Sequence, residues 1–95
     1  MPAYVVGLVE VTDPERFKTY QALAPETIAS HGGRYLVRGG EPTVLEGEKL
    51  GPRVVVLEFP DVATAQQWYD SVEYQKARLA REGAGSLRLT VVPGV

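Results

Sequence analysis

Residues Ala3 to Val11 are nearly all apolar and rich in valine, and the run stops at Thr12, Asp13 and Pro14, which together form a helix-start signal. A strand therefore hands over to a helix. Asp13 can cap that helix with Pro14 at its first position, or Thr12 can cap it with Glu15 three residues on. Phe17, Tyr20, Ala24 and Ile28 follow at spacings of three and four and share one helical face. Pro25 lies inside this run. It has no amide hydrogen and disfavours the α conformation at Ala24, so a kink or restart is predicted between Leu23 and Thr27. Gly32 or Gly33 then ends the helix in a left-handed turn.

From Arg34 to Glu46 the chain again favours strand, with Gly39, Gly40 and Pro42 placing a bulge or bend in its middle. Gly47 to Pro52 reads as a hairpin loop, and Arg53 to Phe59 is the clearest strand of the chain. Pro60 and Asp61 open a second helix that carries Val62, Ala65, Trp68 and Tyr69 on one face. Ser71 supplies a fresh N-cap for a further helix through Glu82, closed by Gly83, and Leu87 to Val92 makes the last strand.

The order β-α-β-β-α-β is the split βαβ arrangement of an α+β, ferredoxin-like fold, with the first strand between the third and fourth of one antiparallel sheet and the helices on one face. A chain of 95 residues supports one hydrophobic core, so residues 1–95 are read as a single domain. If the uncovered sheet face met water, the strands should alternate apolar and polar residues. They do not. Tyr4, Val6 and Leu8 point one way while Val5, Val9 and Val11 point the other, and Val54 to Leu57 has the same two-sided character. A second copy covering the open face is the economical solution, so a homodimer is expected.

Composition narrows the partners. A net charge of −2 gives no general attraction to phosphate backbones or anionic lipid, so neither nucleic acid nor membrane is expected. The topology also suits an RNA-binding module, but the aromatic RNP pattern and a basic surface are both missing. There is no cysteine, which removes disulfides, thiolate nucleophiles and Cys-ligated metals. Met1 to Val11 has no basic region ahead of its apolar run, and no run approaches the ~18 residues of a membrane span. A cytoplasmic protein is the expectation.

The stretches HGGRYLVRGG (His31 to Gly40), VVVLEFP (Val54 to Pro60) and WYDSVEY (Trp68 to Tyr74) resemble the DUF1330 family, and the likeness runs over essentially the whole chain. The resemblance implies a dimeric α+β barrel, in which two sheets pair face to face. That agrees with the two-sided strands. Related branches of the superfamily include cofactor-free monooxygenases, isomerases, dehalogenating enzymes and haem proteins, so the resemblance implies small-molecule chemistry without supplying a catalytic set.

Candidate residues come from the chain itself. The topology brings the end of the first helix, the start of the second strand and the end of the third to one sheet edge, which gathers His31, Arg34, Glu58 and Tyr4. His31 is the only histidine, and an imidazole exchanges protons near neutral pH; in the last helical turn it would equally serve the helix dipole and its free carbonyls. Glu58 interrupts an apolar strand, which makes it either a general acid or base or the partner of Arg34, Arg38 or a tyrosine hydroxyl. Arg38, beside Gly39 and Gly40, can hold a carboxylate. Trp68, Tyr69 and Tyr74 can line a pocket or fill the core. One histidine without clustered carboxylates makes no metal site, and neither GxGxxG nor a Walker motif is present.

Two functions fit. In one, the chain is a cofactor-free enzyme on a small, partly apolar acid or ketone, with monooxygenase or isomerase-like proton-transfer chemistry: His31 and Glu58 move protons, and Arg38, Arg34, Tyr4, Trp68, Tyr69 and Tyr74 bind. In the other, it is a non-catalytic homodimer that binds a small ligand or a protein, and the same residues are caps and ion pairs. The enzyme demands a cavity of roughly 300 Å³ or more that reaches both His31 and Glu58.

Overall fold

The computed structural model describes all 95 residues and orders its elements as β1 (Ala3–Val11), α1 (Pro14–Ser30), β2 (Arg34–Gly40), β3 (Arg53–Phe59), α2 (Val62–Asp70), α3 (Val72–Ala80) and β4 (Gly85–Pro93). The strands form one antiparallel sheet in the order β2-β3-β1-β4. This is the ferredoxin-like arrangement, with β1 between the third and fourth strands.

Local chemistry sets the helix limits. Asp13 caps α1 by accepting the Arg16 amide, and Ser71 caps α3 by accepting that of Tyr74. Asp61 does the same for α2 through Thr64, and hydrogen bonding from Thr64 holds its carboxyl below the ordinary carboxylate range. That cap is therefore complete at neutral pH and is lost as pH falls through the lowered value. At the far end of α1 the amide of Gly33 donates to Ile28 and that of Gly32 to Ala29, the two bonds of a Schellman turn, with Gly32 at φ 75°. A side chain at Gly33 would collide with Phe59 and Ile28, so the helix end packs against the sheet on glycine.

Two expectations are corrected. Helix α1 runs unbroken through Pro25 instead of restarting between Leu23 and Thr27. The proline deprives the Gln21 carbonyl of its donor, and Gln21 is exposed, so the lost bond needs no replacement from within the chain. Strand β2 also ends at Gly40, and residues 41–52 carry no strand. Of its two bulges, one falls at Gly39, where φ is 74° and where the glycines placed it, and the other at Leu36.

The register places Val5, Val9, Val55, Leu57, Phe59, Leu87, Leu89 and Val91 under the helices. There they meet Phe17, Ile28, Ala65, Trp68 and Tyr74, and together these form the core. The opposite face carries no helix. Val6 lies between Val56 and Thr90, Leu8 between Val54 and Arg88, and Tyr4 between Glu58 and Val92, with Val37 next to Val56. The centre of that face is apolar and open.

Candidate functional site

The aromatic residues of α1, α2 and α3 converge over the sheet. The Trp68 ring stacks at 4.3 Å on Tyr74 and 5.2 Å on Phe59, and its Nε1 donates to Thr27 Oγ1 at 3.1 Å, which in turn donates to the Ala24 carbonyl. Tyr20 and Tyr74 share a hydroxyl hydrogen bond of 2.9 Å. Every buried polar tip in this cluster is partnered, as burial requires.

Beside the cluster, between α1 and the sheet, lies a cavity of about 410 Å³. Its floor is Val9, Val55, Leu57, Leu87 and Leu89, its walls are Phe17, Tyr20, Tyr35, Ile28 and Trp68, and Arg38, Gly39, Arg53 and Gln21 complete it. The bulge at Leu36 puts Tyr35 and Arg38 on this same side, where they oppose Leu57 and Val55. The Arg38 guanidinium lies 4.7 Å from the centre of the Tyr35 ring. Burial, reinforced by Tyr74, raises the Tyr20 phenol far above its ordinary range, and burial raises that of Tyr35. Both phenols therefore stay protonated at physiological pH. An apolar chamber with two phenolic donors and two arginines can hold an apolar body by packing and an anionic end by charge.

The raised Tyr20 value has a consequence for stability. Its folded value lies above the unfolded value near 10.0, so its contribution is complete below pH 10 and is lost as pH rises beyond it. Urea melts between pH 9 and pH ~11 should show this fall, and Tyr20→Phe should flatten it. An equally steep fall in the variant would place the effect elsewhere.

The expected site residues divide between the two faces of the sheet. Arg34, Glu58 and Tyr4 form a row across the open face, where Arg34 Nε donates to Glu58 Oε1 at 2.7 Å. His31 sits at the same end of the sheet but on the helix side, as the C-cap of α1, with Nδ1 donating to the Thr27 carbonyl at 2.8 Å. None of the three main cavities is lined by His31 or Glu58. Arg38 and Trp68 line the α1 cavity, Tyr69 lines a neighbouring one, and Tyr74 is wholly buried behind them. Because the Arg34 side chain is 70% exposed, its pairing with Glu58 is worth about 0.2–1 kcal/mol. Glu58→Gln should lower the melting temperature by only a few degrees in a thermal scan. A collapse of the fold would mean that this carboxylate does more than pair.

Tyr20, Tyr35 and Arg53 were not among the expected binding residues. Tyr20 was legible as part of the apolar face of α1, whereas the extra residue at Leu36, which sets Tyr35 and Arg38 on one side of β2, leaves no sequence signal.

The model of a domain of unknown function, DUF1330, matches residues 2–95. The chain belongs to the DUF1330 family. No curated protein matches it. Among solved structures, a protein of unknown function from Rhodopseudomonas palustris is 20% identical, with a TM-score of 0.76 over 99% of this chain and 82% of that one. A dimeric ferredoxin-like protein of unknown function from Jannaschia sp. CCS1 is 12% identical, with a TM-score of 0.73 over 99% and 100%. SnoaB from Streptomyces nogalater, a cofactor-independent oxygenase, is 13% identical, with a TM-score of 0.69 over 99% and 93%. At these identities the likeness establishes the ferredoxin-like fold of this DUF1330 chain. No helix in it is long and apolar enough to cross a membrane.

Proposed function

We propose that residues 1–95 act as one domain in a homodimer, closed through the open sheet face, and that each protomer holds a small, partly apolar acid or ketone in the cavity between α1 and the sheet. The observation that carries this reading is the cavity itself, about 410 Å³ and largely apolar, with Arg38 and the phenols of Tyr20 and Tyr35 on its wall. Arg38 holds the anionic group. The protonated phenols donate to a carbonyl oxygen, whose charge grows as the α-proton passes to water and an enolate forms, so the chamber suits proton-transfer chemistry without a cofactor. The dimeric and oxygenase neighbours support the same reading by fold alone.

The alternative is a binder without turnover. It is favoured by the lining, which contains neither a carboxylate nor an imidazole to serve as general base. Phenylpyruvate separates the two, because it is an apolar acid and a ketone at once. Calorimetry should show saturable binding that Arg38→Gln weakens about tenfold or more. Accelerated keto–enol exchange, followed by the enol absorbance, marks the enzyme, and binding without acceleration marks the binder. Absence of binding contradicts both.

A further inference from the structure

A second cavity, about 520 Å³, lies on the other side of Trp68, Leu87 and Leu89, between α2, α3 and β4. Its apolar floor adds Val5 and Val91, and its polar lining includes Arg78 and Arg81. Arg81 is the C-cap of α3 and Arg78 stands in that helix's last turn. Cations there suit the helix dipole, which accounts for their place in the sequence. It does not account for how Arg81 is held.

The Arg81 guanidinium packs over the Tyr20 ring at 5.2 Å, and its Nε is buried with no acceptor anywhere in the chain. A buried donor left unpaired costs about 1–3 kcal/mol, and the Arg81 side chain lines the cavity with no carboxylate of the chain against it. Arg78 is similarly uncommitted. It donates to Gln75 Oε1 at 3.4 Å and lies 6.0 Å from the Tyr69 ring. Neither arginine belongs to any ion pair. The one carboxylate in the lining, Asp70, is exposed and pairs with neither.

We infer that this cavity is a second, separate binding site, for the carboxylate of a small aromatic or branched acid. The acid's oxygens meet the guanidinium groups of Arg81 and Arg78, and its apolar body lies against Trp68, Leu89 and Val91. An arginine presents parallel donors that match a carboxylate, and neither of these has a carboxylate partner in the chain. The site differs from the α1 cavity in its arginines, so each stands or falls alone.

Benzoate and its neutral counterpart benzamide are suitable probes, read on the arginine Nε–H resonances of the nitrogen-15-labelled full chain. Benzoate should shift the Arg81 and Arg78 signals saturably, and benzamide should leave them in place. Arg81→Lys keeps the charge but removes the planar fork of donors, and should weaken benzoate about tenfold. Arg78→Gln, on the exposed surface, should weaken it by about threefold or more and keeps the test open if the Arg81 variant does not fold. Four results would overturn the site: an unmoved Arg81 signal, equal shifts with benzamide, affinity within twofold in Arg81→Lys, or, where that variant does not fold, unchanged affinity in Arg78→Gln. If only the Arg38 signal moves, this site falls and the α1 cavity stands.

Discussion

Val56→Asp should turn a dimer into a folded monomer. Val56 lies in the middle of β3 on the open face, between Val6 of β1 and Val37 of β2. In the proposed assembly this row meets the same row of the second copy, so the substitution buries two unpaired carboxylates, one from each protomer. An uncompensated buried charge costs several kcal/mol, and about 4 kcal/mol weakens association roughly a thousandfold. Within one protomer the same side chain faces outward, so helix and sheet content should survive. Sedimentation together with circular dichroism reads both quantities. A variant that still sediments as the wild type would place the interface away from this face.

Tyr74→Ala should be the most damaging change to the fold. The side chain is fully buried, stacks 4.3 Å from Trp68 and 5.4 Å from Tyr69, and bonds its hydroxyl to Tyr20. Truncating a buried aromatic to alanine costs about 3–5 kcal/mol. At about 4–8 °C per kcal/mol for a domain of this size, the melting temperature should fall by more than about 12 °C. Tyr74→Phe removes only the hydroxyl and leaves Tyr20 without its partner, which costs about 1 kcal/mol. Similar small losses in both variants would mean that Tyr74 lines a ligand space and does not fill the core.

Much of the fold was legible because it is set locally. Asp13 with Pro14, Asp61 and Ser71 mark helix starts by accepting amides one turn on, Gly32 marks an end by donating its own amide to the Ala29 carbonyl, and such bonds need no tertiary context. The valines of β1 and β3 likewise announced two apolar faces. Residues 41–46 were misread because Val44 and Leu45 supply β-forming side chains to a segment that buries neither; Leu45 is 97% exposed. Pro25 misled because its cost depends on whether the freed carbonyl faces water, a tertiary fact.

The site was harder to read. Alternation alone puts Glu58 opposite in direction to Leu57 and Phe59, hence away from the helix that carries His31. The pairing of Glu58 with Arg34 follows from that parity. Tyr35 and Arg38 share the α1 cavity only because β2 slips its register at Leu36, between them, and where a strand bulges depends on its neighbour.

The central claim is that two copies close over the open sheet face. Static light scattering of the unmodified chain at micromolar concentration tests it most directly. The account predicts about twice the 10.4 kDa chain mass, consistent with an interface above ~1,200 Å² in total. A mass of 10.4 kDa that does not change with concentration would contradict it.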